Sequence, residues 1–265
     1  MTAITTEPAR MPRDSEHRDS QRSAFRNLVS TEAKLLVREI VPLLWGVAFP
    51  IVLLSIMGGF SHGPDKALGG LSLVATYEPI LIAFTISTFA LQGLAPVLAG
   101  YRERGILRRL NATPVGAGRL LLAQLTVNMS VTLIATLGIL IVGDAAFGVP
   151  LPSQPAGFIL ALVLTSAAML SLGLLIASLA RTARVAGAVG TMIFLPLMFF
   201  AGLWVPQATM SAALRRAGDD TPLGAAVSAL QHSMAGQWPS ASGLAILAGY
   251  TVAFGVLAWR LFRWE

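Results

Sequence analysis

The chain has 265 residues, of which 55% are hydrophobic and only 12% charged, and its formal net charge is +6. A soluble domain of this size would carry about 25% charged residues, so the composition indicates a membrane protein. The chain has no cysteine, which excludes disulfides and thiolate metal sites. The positive charge does not indicate nucleic-acid binding, because it lies beside apolar segments and no aromatic platform accompanies it.

The N-terminal part of the chain divides into a polar leader and an amphipathic segment. Residues 1–20 mix both charges without aromatic residues, which predicts a disordered cytoplasmic leader before a single membrane domain at 21–265. Between residues 22 and 40 the apolar side chains repeat at helical spacing, which predicts an interfacial amphipathic helix. These side chains are Phe25, Leu28, Val29, Leu36 and Ile40. An ordinary extension of the first span is the alternative.

Six long uncharged windows predict six transmembrane helices, because each exceeds the roughly 20 residues that cross a bilayer. Backbone groups in lipid must be paired within the segment, so we expect an all-α polytopic membrane protein. The predicted spans lie near residues 42–60, 73–98, 118–142, 157–180, 185–204 and 241–260. The less apolar segment 205–240 carries charges at its centre and predicts short re-entrant helices before the last span.

Lysine and arginine are distributed unevenly between alternate loops. Sixteen of them lie in the N-terminal arm, the 101–119 loop, the 181–184 link and the C-terminal end. The other side has only Lys66, Arg215 and Arg216. The positive-inside rule therefore predicts that both termini of this multi-pass chain are cytoplasmic.

Catalytic and metal-binding motifs are missing from the sequence. A phosphate-binding loop needs Gly-Lys-Ser/Thr, but the only lysines, Lys34 and Lys66, follow Ala33 and Asp65. The three histidines are far apart and lack the spacing of metal ligands. We therefore predict that the chain is not an enzyme and has no catalytic residue, resident metal or cofactor.

Glu78 is the one carboxylate within a predicted span. A charge at the centre of a membrane is costly and commonly functional, which would suit contact with a substrate or gating. Glu78 is expected near the outer end of the second span, however, where water can reach it. The simpler interpretation is therefore a hydrated residue.

The most distinctive segment is YRERGILRRLNATPV at residues 101–115, where arginines alternate with Ile106, Leu107 and Leu110. Together with Tyr77-Glu-Pro, LQGLA at 91–95 and FLPLMFFAGLWVP at 194–206, it resembles the permease subunit of type-two ATP-binding-cassette exporters. Within that family it resembles the actinobacterial antibiotic exporters of the daunorubicin type. The resemblance covers about residues 22–262.

This resemblance implies a partner-driven transporter in the bacterial inner (plasma) membrane. Two permease subunits, identical or different, would pair with each other and with two copies of a separate subunit that binds ATP and Mg²⁺. Residues 101–112 would form the coupling helix that contacts the ATP-binding subunit. The residues expected to make this contact are Glu103, Arg104, Ile106, Leu107, Arg108 and Arg109.

The expected cargo is a hydrophobic small molecule, such as a drug or antibiotic that the exporter removes from the cell. Aromatic side chains of the second and fifth spans, with Glu78 and one glycine, are predicted to line its path. These path residues are Glu78, Phe84, Phe89, Phe199, Phe200, Gly202 and Trp204. Alternatives are export of a lipid or lipid-linked glycan, and a membrane anchor or receptor that transports nothing. An ion-coupled carrier would need ionisable residues deep in the spans.

The charge distribution makes a direct prediction about topology. A cysteine introduced at Ser211 should react with a membrane-impermeant maleimide in intact cells, whereas a cysteine at Asn111 should react only after lysis. The absence of native cysteine makes each label specific. Labelling of Asn111→Cys in intact cells, with protection of Ser211→Cys, would reverse the assignment.

Overall fold

The computed structural model describes residues 13–60, 63–68, 70–112 and 116–261, and the described segments fold mainly into helices. Six of these helices are long and apolar enough to cross a membrane, which confirms the predicted all-α polytopic fold. In chain order, spans 1 to 6 are Ile40–Phe60, Leu73–Glu103, Ala117–Phe147, Pro155–Leu179, Ala183–Ala201 and Ala241–Leu261.

Four further α-helices flank the spans. The N-terminal helix is Arg13–Arg38, and the loop helix is Ile106–Asn111, between spans 2 and 3. Two outer helices, Ala212–Asp219 and Pro222–Met234, lie between spans 5 and 6. We call the end of the bundle that carries the loop helix the loop end, and the opposite end the far end.

The N-terminal helix begins earlier than predicted. Residues 13–20 belong to the same helix as the amphipathic segment, so the expected disordered leader does not extend to residue 20. The sequence supplies the reason, because neither glycine nor proline interrupts the chain between Pro12 and Pro42. Residues 1–12 lie outside the described part of the chain. The helix packs against span 3 and bends at Glu39 into span 1.

Span lengths differ from the hydropathy windows at several ends. Span 2 continues to Glu103 and span 3 to Phe147, because polar residues at a membrane interface do not stop a helix. Span 5 instead ends at Ala201, where Gly202 adopts φ +96° and caps the helix. Trp204, predicted within span 5, therefore lies beyond it.

Span 2 is the centre of the bundle. In its most apolar window 83% of residues are buried, against 17% in spans 1 and 6. Residues Thr88–Leu94 form a π-helical segment, and there the carbonyl oxygens of Ala90 and Leu91 face glycines of two neighbouring spans. Gly173 of span 4 and Gly190 of span 5 allow this contact, because a Cβ at either position would collide with the opposing backbone.

The two outer helices form a hairpin that enters the bundle. Its turn lies beside span 6, where the Tyr250 hydroxyl donates to the Asp220 carbonyl oxygen at 3.0 Å. Tyr250 is nine residues after the start of span 6, which is about 13 Å along a helix axis. The second helix returns to the far end, where Ser233 accepts a backbone hydrogen bond from Gln154 at 3.0 Å. The two helices therefore enter the bundle and return to the same end, as a re-entrant pair does.

The glycine contacts predict which small residues the fold requires. Gly190→Ala should destabilise the protein by about 1–3 kcal/mol, because the new methyl group meets the rigid backbone of Leu91. Gly187→Ala, one turn earlier in the same span, is the matched control, since its methyl group would lie at 3.7 Å from Pro96 Cγ. Thermal unfolding in detergent measures both. Equal midpoints for the two variants would contradict this account of the packing.

Candidate functional site

The arginine-rich loop begins where span 2 ends, at the loop end of the bundle. Gly105 adopts φ +66°, a conformation that favours glycine, and so turns the chain from span 2 into the loop helix. Arg104, Arg108 and Arg109 are exposed, and Ile106 is half-buried. The loop helix therefore presents a basic surface away from the bundle.

Leu107 differs from its predicted role. It is 1% exposed and belongs to a small apolar cluster with Ala117 and Leu120 of span 3, against which Leu28 also packs. The sequence pattern was correct in marking an apolar face, but the face is covered by this chain itself. Leu107 holds the loop helix on the bundle, and in this conformation it is not available to a partner.

A buried carboxylate joins the N-terminal helix to spans 2 and 3. Glu32 is 6% exposed. The Tyr101 hydroxyl donates to its Oε1 at 3.1 Å and to its Oε2 at 2.9 Å, and Gln124 Nε2 donates to Oε2 at 2.5 Å. Asn128 extends the network by donating to the Gln124 backbone oxygen at 2.8 Å. Three elements are thus tied together through one acidic side chain.

Burial raises the pKa of Glu32 above its ordinary value of 4.5. The hydrogen bond from Tyr101 acts in the opposite direction, and the negative charge of Glu39 adds to the increase. A cavity of about 140 Å³ adjoins Glu32 and Glu39, with Arg104 and Asn128 also in its lining. The network is therefore close to a polar opening and not to lipid alone.

Arg102 and Glu103, at the end of span 2, bind the connection between spans 4 and 5. Arg102 donates from Nη1 to the Ser178 carbonyl oxygen at 2.7 Å, and from Nη2 to the Ala180 carbonyl oxygen. The Glu103 carboxylate accepts from the Ala183 backbone N–H at 3.0 Å. Hydrogen bonds to charged groups contribute about 1.5–3 kcal/mol each, and solvent reduces this contribution at the exposed Glu103 contact. Glu103, expected to contact a partner, thus binds its own chain while its side chain remains exposed.

Glu78 is buried, contrary to the expectation that water reaches it. It is 1% exposed, and its Oε2 has no hydrogen-bond partner among the described residues. The carboxylate lies against Gly143 of span 3, where a Cβ would be 2.7 Å from Oε1. The missing side chain of Gly143 creates the space that a hydropathy pattern does not reveal. Glu78 is thus enclosed between spans 2 and 3.

Two aromatic residues predicted for a path belong to the interior of the chain. Phe84 is 6% exposed and packs between Phe49 of span 1 and Phe194 of span 5, with ring centroids 5.2 Å and 5.3 Å away. Phe89 is 1% exposed and lies against Gly46 of span 1. Both rings are therefore buried among helices of this chain in the described conformation.

The remaining predicted path residues lie at the end of span 5. Phe199 and Phe200 are half-buried and form an edge-to-face pair at 5.5 Å, and Trp204 is 52% exposed. Gly202 is buried, and a Cβ there would lie 3.3 Å from the Gln207 backbone nitrogen. A Gly202→Trp substitution would therefore disrupt the fold before it could obstruct a path. The predicted path residues do not form one continuous surface.

Sequence reasoning missed Glu32, Tyr101 and Arg102 as connecting residues. A signal for Glu32 was present, because it lies four residues from both Leu28 and Leu36, on the apolar face of its helix. An acid on such a face indicates a buried partner. In the part of the chain that the structure describes, no three or more metal-ligating side chains lie together.

The raised pKa of Glu32 predicts a pH-dependent stability. A raised pKa means that the folded chain binds this proton more tightly than the unfolded chain, so the contribution is complete below pH 4.5. It is lost as the pH rises through the folded-state pKa. The difference in melting temperature between the unsubstituted chain and Glu32→Gln should therefore decrease as the pH is raised above 4.5.

Thermal unfolding over this pH range measures the effect. Asp220→Asn is the control for the loss of one carboxylate, because Asp220 is exposed on the outer hairpin. A difference that increases with pH would reverse the sign and contradict the buried position of Glu32.

Comparison with known proteins agrees with this architecture. No curated protein matches the chain. The family described as ABC-2 type transporter matches residues 22–235, from the N-terminal helix to the end of the second outer helix. This stretch includes spans 1 to 5, the basic loop and the outer hairpin, and it covers most of the 265 residues. The chain therefore belongs to the ABC-2 type transporter family and is a multi-pass membrane component of such a transporter.

Proposed function

We propose that the chain is the permease subunit of an ATP-driven exporter in a bacterial inner membrane, with both termini in the cytoplasm. The cargo is a hydrophobic small molecule of the drug or antibiotic type, and the activity is efflux. The observation that carries the proposal is the loop helix. Arg108 and Arg109 of this helix are exposed to solvent, while its apolar side packs against the N-terminal helix and span 3. A surface that receives force from a partner needs both properties.

The basic surface suits an ATP-binding subunit. Charges at the rim of an interface set orientation and association rate, while desolvated anchors contribute most of the affinity. Arg104, Arg108 and Arg109 supply the rim, and half-buried Ile106 supplies the apolar centre. ATP and Mg²⁺ are bound by that partner, present in two copies, and this chain contributes no cofactor site.

A second permease subunit, identical or different, completes the exporter. Span 5 carries an apolar row on one face, because exposed Met192 and Leu195 and half-buried Phe199 follow helical spacing. Met192 is 73% exposed and Leu195 50% exposed. Placed opposite a second subunit, this row and Trp204 form one wall of an apolar path. The apolar character of the row supports a hydrophobic cargo over a glycan.

The test uses the chain co-expressed with a candidate ATP-binding-cassette ATPase from the same genome. The purified chain alone should not hydrolyse ATP, and the complex should hydrolyse it faster when a hydrophobic substrate is added. Arg108→Lys with Arg109→Lys keeps the charge but loses the planar guanidinium groups, which bind carboxylates in pairs. We expect complex formation to weaken by about tenfold, or about 1.4 kcal/mol.

The matched control is Arg215→Lys with Arg216→Lys, a second exposed arginine pair that lies on the outer hairpin. These variants should assemble normally. Equal assembly of both double variants would show that the loop helix is not the contact with the ATP-binding subunit. Stimulation by lipid extract but not by hydrophobic small molecules would change the cargo class.

A further inference from the structure

Three consecutive side chains at the end of span 2 contact three different elements. Tyr101 binds Glu32 of the N-terminal helix. Arg102 binds the end of span 4, and Glu103 binds the start of span 5. The loop helix follows after only Arg104 and Gly105. A displacement of the loop helix therefore acts directly on this short segment.

The contacts of Arg102 and Glu103 match the chemistry of helix ends. The last carbonyl groups of a helix and its first N–H groups have no partners within the helix. Arg102 binds two carbonyl oxygens at the end of span 4, where the helix dipole favours a positive charge. Glu103 accepts the first N–H of span 5, where the dipole favours a negative charge. Each charge has the sign that its helix end attracts.

The turn that these residues hold is very short. Span 4 ends at Leu179 and span 5 begins at Ala183, so only residues 180–182 connect them. Span 2 also approaches this turn closely, because a Cβ on Gly100 would lie 3.4 Å from the Ala183 Cβ. Both helix ends are therefore fixed to span 2 by charge and by packing, with little chain between them to absorb a movement.

We propose that Arg102 and Glu103 are positioning residues that transmit displacement of the loop helix to the turn at residues 180–182. The proposal rests on the proposed function, because it requires an ATP-binding subunit that moves the loop. It separates two roles within one arginine-rich segment. Arg108 and Arg109 face the partner, whereas Arg102 and Glu103 face spans 4 and 5 of the same chain.

The consequence for transport follows from the position of span 5. This span carries the exposed row with Met192 and Leu195, and its first N–H is held by Glu103. Arg102 holds span 4 at the adjacent end. A movement of the loop helix therefore shifts the wall of the proposed path only while both side chains keep their contacts. Without these contacts the ATP-binding subunit still binds and hydrolyses ATP, but span 5 does not move with the loop helix.

The experiment uses a single reporter cysteine, Arg181→Cys, in the exposed turn of a chain that has no native cysteine. The full complex is placed in lipid nanodiscs, and the maleimide labelling rate is measured with and without a non-hydrolysable ATP analogue. We expect the analogue to change this rate in the reporter chain. Arg102→Lys or Glu103→Ala should reduce that change by about tenfold, a typical size for coupling between two sites.

Controls distinguish transmission from loss of structure. Glu103→Gln keeps an oxygen that accepts the Ala183 N–H, so it should restore most of the response that Glu103→Ala loses. Arg260→Lys, exposed at the end of span 6, should respond like the reporter chain. Co-purification of the ATPase and basal ATP hydrolysis should stay unchanged in all variants, although the lost hydrogen bonds lower the melting temperature of Arg102→Lys and Glu103→Ala.

Two failures have different meanings. If the reporter complex shows no ATP-dependent change and no substrate-stimulated hydrolysis, the proposed function is wrong and the transmission role is wrong with it. If the reporter complex responds and the Arg102→Lys and Glu103→Ala variants respond equally, only the transmission role is overturned. A loss of complex formation in these variants would assign both residues to the partner interface and would also overturn the proposal.

Discussion

The continuity of span 2 is the constraint on which the loop end depends. Because the helix remains intact to Glu103, Tyr101, Arg102 and Glu103 occupy successive positions around its last turn. Their side chains consequently point in different directions and reach different neighbours. A helix that ended near residue 98, as hydropathy alone suggests, would leave these residues in a loop. The contacts to the N-terminal helix, span 4 and span 5 would then have no fixed geometry.

The polar groups inside the bundle are arranged around the same helix. Glu32 reaches the interior with hydrogen bonds from the Tyr101 hydroxyl, shared by both carboxylate oxygens, and from the Gln124 amide, which offset part of its desolvation cost. Among the residues that the structure describes, Glu78 has no comparable partner at Oε2. The two acids therefore differ in their physical situation, although both are buried. Satisfied hydrogen bonds make Glu32 part of the connection between elements, whereas Glu78 is held by the shape of the space beside Gly143.

The six spans could be predicted because hydropathy is a property of each segment and needs no knowledge of its neighbours. The outer hairpin was likewise predicted by the charges at its centre. The errors concern contacts between segments. Leu107 and Phe84 showed the correct apolar character, but sequence spacing does not specify whether a partner or the same chain covers them. The positive φ of Gly202 likewise depends on where span 5 ends, which sequence spacing does not specify.

The close contacts of span 2 have a mechanical consequence. Gly173 of span 4 and Gly190 of span 5 approach it at adjacent residues, Ala90 and Leu91, so both spans are nearest to it at one level. At 1.5 Å per residue, Gly173 is about 9 Å from the loop end and about 27 Å from the far end of span 4, and Gly190 is about 11 Å and about 17 Å from the same ends of span 5. If span 4 or span 5 tilts about this contact, the part of the helix on the loop-end side is shorter than the part on the far-end side. A displacement at the loop end is then amplified at the far end, and its direction is reversed.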